Sequence, residues 1–166
     1  MNVIIKYFVM FVSLVLIQIL ILNQVQLGGF INPYIYILFI ILLPLNTPRY
    51  LVLLLGFVMG ITIDTFMNSL GIHTAACVFI AYLRPFIVRL ISNREEDRSE
   101  YPGLHQNKLI WFLSYVSIMV ILHHTVLFYI EVFTFSGFFQ TLYHVVISSL
   151  FSIFIIVLSQ FIIFRR

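Results

Sequence analysis

Apolar residues run along this chain in six stretches separated by short polar links. A helix rises about 1.5 Å per residue, so roughly 20 apolar residues cross a hydrocarbon layer about 30 Å thick. Residues 3–22 have that length. A polar link, 23–32 with Gly28 and Gly29, leads to two runs, 33–45 and 50–63, divided by Pro44, Asn46, Thr47, Pro48 and Arg49. Both runs are short for a span, and two readings stay open: two short transmembrane helices, or a re-entrant hairpin that dips in and returns. Runs at 70–91, 109–130 and 138–164 follow. Breakers fall where turns are wanted. Pro33 is expected to open a helix and Pro48 to close a turn, Pro102 and Gly103 lie in a charged loop, and Gly137 precedes the last run. The pattern predicts an all-α membrane protein, a single polytopic domain over 1–166 folded as a six-transmembrane-helix bundle.

Composition strengthens that expectation. The chain is 62% hydrophobic and 9% charged, with a mean hydropathy of +1.11, far from the make-up of soluble domains. The longest polar stretch, 92–108, is too short to build a core of its own. The first apolar run is longer than the core of a signal peptide and lacks a small-x-small cleavage site, so it is expected to remain as a helix. The single Cys77 excludes an intramolecular disulfide.

In a soluble chain, a net charge of +3 and a pI near 9.2 would suggest nucleic acid. Here the basic residues lie between apolar runs and act as topology signals, because Lys and Arg resist translocation. With the N-terminus inside, Lys6, Arg49, Arg84, Arg89, Arg94, Arg98, Lys108, Arg165 and Arg166 all fall on the cytoplasmic face, which accounts for all 9 basic residues. The opposite face holds Asp64 and Glu131. Both termini are therefore expected in the cytoplasm. Arg84 and Arg89, in the last turns of their helix beside Pro85, are expected to snorkel toward the headgroups. The loop from Asn93 to Gly103 reads as a solvated linker, with a docking site for a cytoplasmic partner as its alternative.

A polar or small residue within an apolar run needs a reason. Gly56, Gly60 and Asp64 recur at i, i+4 and i+8, one face of a helix. One reading is a packing seam ending in an acidic turn residue that caps the next helix, with Asn68 and Ser69 as other caps. The other makes Asp64 a partner-contacting or bundle-organising carboxylate. In the fifth run Ser114, Ser117, His124 and Glu131 form a stripe with Ile121 and Phe128. In the sixth, Thr141, His144, Ser148, Ser152 and Ser159 repeat at similar steps. Both stripes are expected to face the bundle interior.

Chemistry is weakly represented. His73, His123, His124 and His144 show no H-x-x-x-H or H-E-x-x-H spacing, so neither metal nor cofactor is expected. A proton relay through His124, Glu131 and His144 is the stronger use of these groups. No nucleophile elbow, Walker A loop or intramembrane-protease G-x-G-D pattern is present, so no catalytic residue is assigned.

From residue 44 to 90 the pattern becomes more particular. Gly56-Phe57-Val58-Met59-Gly60-Ile61-Thr62-Ile63-Asp64, then Leu70-Gly71, then Ala81-Tyr82-Leu83-Arg84-Pro85, resembles MreD, the rod shape-determining membrane protein family of bacteria. The motif covers the central third, while size and pattern agree across nearly the whole chain. The resemblance implies a non-enzymatic component of the cell-elongation machinery in the bacterial cytoplasmic (inner) membrane. Its partners would be membrane lipid, MreC, a RodA-type glycosyltransferase with its penicillin-binding transpeptidase, and MreB indirectly. The residues carried over are Gly56, Gly60, Asp64 and Gly71. The family is also similar in fold to the substrate-binding S components of energy-coupling-factor (ECF) vitamin transporters. That likeness implies a second reading, which would require several convergent polar groups near the outer surface.

Overall fold

The computed structural model describes residues 3–24, 32–92, 100–133 and 137–163. Helix α1 (Val3–Ile17) continues without a break into a π-helical turn, Gln18–Leu22. A short helix α2 (Leu38–Leu42) follows, then α3 (Arg49–Met67), α4 (Ile72–Ile91), α5 (Leu109–Val132) and α6 (Phe138–Ile163). Five of these segments are long and apolar enough to cross a membrane, and the chain is a multi-pass membrane protein. The run at 50–63 belongs to a helix of 19 residues, so it is no half-span. Arg94, Arg98, Arg165, Arg166, Gly28 and Gly29, and with them residues 93–99 of the charged loop, lie outside the described residues.

The second apolar run departs from expectation. Its helix covers only Leu38–Leu42, and Pro33 opens a non-helical stretch instead of a helix. Backbone of that kind survives inside a membrane protein only where its amides and carbonyls find partners. They do here: the Tyr34 amide donates to Ser152 Oγ at 2.9 Å, the Ile35 amide to Gln18 Oε1 at 2.9 Å, and Gln18 Nε2 donates to the Pro33 carbonyl at 3.1 Å. Gln18 stands at the start of the π turn of α1, the kind of helix irregularity that recurs at functional positions.

The segment 33–43 is the central strut of the fold. Tyr36, Ile37, Ile40 and Ile41 are all 0% exposed. One end is held at Gln18 and the other at Tyr7, whose hydroxyl donates to the Leu42 carbonyl at 3.2 Å. From Tyr7 to Gln18 is about 16 Å of helical rise, so the strut runs alongside α1 for that distance. Helices α3, α4, α5 and α6 pack in chain order beside it.

One end of the bundle carries Lys6, Arg49 and Arg89, and contacts there gather its loops: Lys6 Nζ lies 5.8 Å from the Tyr101 ring, and the Leu45 amide donates to the Glu100 carbonyl at 2.9 Å. The opposite end carries the α3–α4 turn and Glu131.

Candidate functional site

The α3–α4 hairpin gathers the motif residues. A Cβ added to Gly60 would stand 2.4 Å from Thr74 Cα, and one on Gly56 would stand 3.0 Å from Ala81 Cβ and 3.2 Å from the Cys77 carbonyl oxygen. Two helix backbones meet there because neither glycine has a side chain. At the turn, Asn68 ends α3 in the left-handed conformation at φ 54°. Gly71 precedes α4 at φ 86°, where a Cβ would meet nothing within 4 Å; its role is conformational, not steric.

Asp64 ties this turn together. Its Oδ1 accepts from Ser69 Oγ at 2.5 Å and from the His73 amide at 3.1 Å, while Oδ2 accepts from the Thr74 amide at 2.8 Å and Thr74 Oγ1 at 2.5 Å. The carboxylate thus caps the first turn of α4, where unpaired amides and the helix dipole favour negative charge. Leu70, at the tip, is 99% exposed.

Through His73 the hairpin meets a polar cluster built on the strut. The Tyr36 hydroxyl lies 2.7 Å from His73 Nδ1 and 3.0 Å from His123 Nε2. A phenol has a single proton to donate, so one histidine accepts it and the other donates to the phenolic oxygen. His124 Nε2 lies 3.0 Å from Ser152 Oγ, the hydroxyl that also receives the Tyr34 amide. The Tyr34 ring sits among them, with centroids 5.4 Å from His73 and 5.4 Å from His124. The cluster ties the strut to α4, α5 and α6 through two separate sets of hydrogen bonds, Tyr36 with His73 and His123, and Ser152 with His124 and the Tyr34 amide. Within the cluster His123 Nδ1 is buried without a partner among the described residues, as are Ser149 Oγ and Gln160 Oε1 on α6. Beside the cluster, toward the end that carries the α3–α4 turn, Asn23, Asn32, Pro33, Tyr34 and Met67 line a cavity of about 190 Å³.

A second anchor holds the far end of the strut. Arg84 is 3% exposed, and its position corrects the expectation of a snorkelling side chain. Its Nε donates to the Tyr115 hydroxyl at 2.9 Å, and the guanidinium donates to the carbonyls of Leu43 and Pro44. Tyr115 itself donates to the Ile41 carbonyl at 3.3 Å. The carbonyls at the end of α2 have no helical partners, and an arginine fork supplies donors at the negative end of the dipole. That requirement outweighs the pull of the headgroups. Arg89, by contrast, is exposed as expected.

The stripe residues separate. Thr141, Ser148, Ser152 and His124 are buried, His144, Ser114, Ser117 and Ser159 are partly buried, and Glu131 is exposed. Glu131 therefore does not face the interior, and Ile121 of the same stripe is 46% exposed. The buried face of α5 runs through Phe112, Tyr115, Met119, His123 and Leu127 and takes in His124 and Phe128 of the stripe, while the rest of the stripe lies along its edge. On a helix apolar all round, polarity alone does not mark the inward side. The relay expected through Glu131 loses that member from the interior, and the histidines that do converge are His73, His123 and His124. Adjacent His123 and His124 both reach the core because they flank Tyr34.

Gln18, Tyr34, Tyr36 and Tyr115 were not singled out from the sequence. A usable signal for the tyrosines is the alternation Tyr34-Ile35-Tyr36-Ile37 after Pro33, a period of two that suits extended backbone with both rings on one side. Among the described residues, no group of His, Cys, Asp and Glu is arranged to hold a metal ion. Comparison with models of protein families, with characterised proteins and with solved structures gave no match.

Proposed function

We propose that this chain is a non-enzymatic scaffold of the bacterial cell-elongation machinery, of the MreD kind, which binds MreC and supports lateral peptidoglycan synthesis. On this reading it lies in the cytoplasmic membrane with both termini in the cytoplasm, and the strut at 33–43 makes the sixth crossing between α1 and α3. MreC is the direct partner. The RodA-type glycosyltransferase and penicillin-binding transpeptidase join through the assembly, and MreB indirectly.

The observation that carries the reading is the construction of the α3–α4 hairpin. Gly56, Gly60, Asp64 and Gly71 are spent on fixing its shape: the glycines admit the facing backbone, and Asp64 uses both oxygens within the turn. A hairpin so braced presents Leu70 and an open depression of about 850 Å³, bordered by Phe57, Ile61, Thr65 and Asn68. A rigid, open surface suits a protein partner better than an enclosed small molecule.

The second reading, an S component of an ECF-type vitamin transporter, has its own support in the unpartnered His123 Nδ1, on a ring 6.4 Å from that of Tyr34, which lines the cavity. That cavity, at about 190 Å³, is smaller than the roughly 300 Å³ at which ligand pockets begin.

Crosslinking and pull-down from native membranes separates the two. Recovery of an MreC-like protein, lost together with rod shape when Gly60 is replaced by leucine, is the expected result. Recovery of an ECF-type ATPase without an MreC-like protein would overturn the scaffold reading.

A further inference from the structure

At the basic end, the start of α3 and the last turns of α4 enclose a cleft of about 410 Å³ whose lining, among the described residues, includes Arg49, Arg84 and Arg89 and no carboxylate. Arg49 and Arg89 are exposed at its edge, and the Arg49 guanidinium lies 5.8 Å from the centre of the Phe86 ring. Arg84 lies deeper and is 3% exposed. Every hydrogen bond that Arg84 makes among the described residues goes to a neutral oxygen, that of Tyr115, Leu43 or Pro44. Those bonds satisfy its N–H groups but leave a buried positive charge with no counter-charge among the described residues, a costly condition away from water. The first turn of α3 adds to the same field, since its N-cap is Pro48 and no side chain caps its amides. The remaining wall is apolar, with Val52, Leu53, Tyr82 and Phe86, and both aromatic rings of that wall are exposed.

We propose that this cleft binds the phosphate of an anionic phospholipid from the leaflet at the basic end. The phosphate lies between Arg49 and Arg89 and supplies the charge that Arg84 lacks. The upper acyl carbons lie against Phe86 and Tyr82, with Tyr82 at the depth where amphipathic rings collect. Basic pockets between helices at the headgroup level hold lipid phosphates in this manner. The apolar wall favours a lipid over a soluble phosphate, which would gain nothing from it. The proposal does not rest on the scaffold reading.

The test is native mass spectrometry of the detergent-purified full-length chain, titrated with phosphatidylglycerol, phosphatidylcholine or inorganic phosphate. Phosphatidylglycerol is expected to bind more tightly than the other two. The double substitution Arg49→Gln with Arg89→Gln, both at exposed positions, should weaken phosphatidylglycerol binding about twenty-five-fold, at about five-fold for each surface arginine, and leave phosphatidylcholine unchanged. Lys6→Gln, at the same end but outside the cleft, should have less effect than either arginine substitution alone. Equal binding of the two lipids, undiminished binding by the double variant, or an equal loss with Lys6→Gln would overturn the proposal. Inorganic phosphate binding as tightly as phosphatidylglycerol would assign the cleft to a soluble anion. A chain destabilised by neutralising Glu95, Glu96 and Asp97 while indifferent to phosphatidylglycerol would assign the counter-charge to the protein itself, and either result sinks the lipid assignment.

Discussion

Two of the three glycines of the motif, alike in the sequence, do different work. Gly60 has no room for a methyl group and Gly71 has room but a left-handed backbone. Gly60→Ala should therefore force the α3 and α4 backbones apart and cost about 1–3 kcal/mol, as overpacking does. Gly71→Ala should cost about 1 kcal/mol from backbone strain alone. Unfolding of the purified chain in mixed micelles would rank them, and a Gly71 variant less stable than the Gly60 variant would contradict this account. Asp64→Asn keeps the size of the side chain but turns one acceptor oxygen into a donor that faces the Thr74 amide and hydroxyl. A loss of about 1–3 kcal/mol is expected, the cost of unpaired buried groups, with the first turn of α4 exchanging its amide protons faster. The seam at i, i+4 and i+8 is legible in the sequence, because helical spacing alone places those residues on one face. The four donors that Asp64 collects are not, since they depend on how the chain turns at Asn68 and Gly71.

Among the elements, the strut at 33–43 depends most on its surroundings. A five-residue helix has no stability of its own; the non-helical backbone before it is held by Gln18, Ser148 and Ser152, and the carbonyls after it by Arg84. Arg84→Lys keeps the charge but loses the planar fork that reaches Leu43, Pro44 and Tyr115 at once. Amides within Leu38–Leu42 should then exchange faster than those of α3, and unchanged protection would show that the clamp is dispensable. Tyr36→Phe leaves His73 Nδ1 and His123 Nε2 without their shared partner. Its cost should exceed the roughly 0.6 kcal/mol of an average interhelical hydrogen bond in a membrane protein, because two buried nitrogens lose their partner together. The sequence marks this segment as short for a span but reads Pro33 as the start of a helix, so its unwound half is not legible there. Which groups rescue its backbone is not written there, because each comes from a distant helix.

At the scale of the whole molecule, two statements await direct measurement: which end faces the cytoplasm, and how closed the interior is. Cys77 is 0% exposed, so the native chain should resist maleimide and react once denatured. In a Cys77→Ser background, a cysteine at Lys6 should be protected from an impermeant reagent added outside intact cells, and one at Glu131 should be labelled. The reverse pattern would invert the orientation derived from the basic residues. The sequence by itself determined the membrane class, the long helices and the glycine seam, because hydropathy and helical spacing are local properties in which each residue counts for itself. Only the tertiary structure decided that the second apolar run is a half-unwound strut, that Arg84 turns inward, and that His73, His123 and His124 converge while Glu131 faces out. Those outcomes depend on which distant groups satisfy a buried amide, carbonyl or charge, and that pairing exists only once the helices are packed.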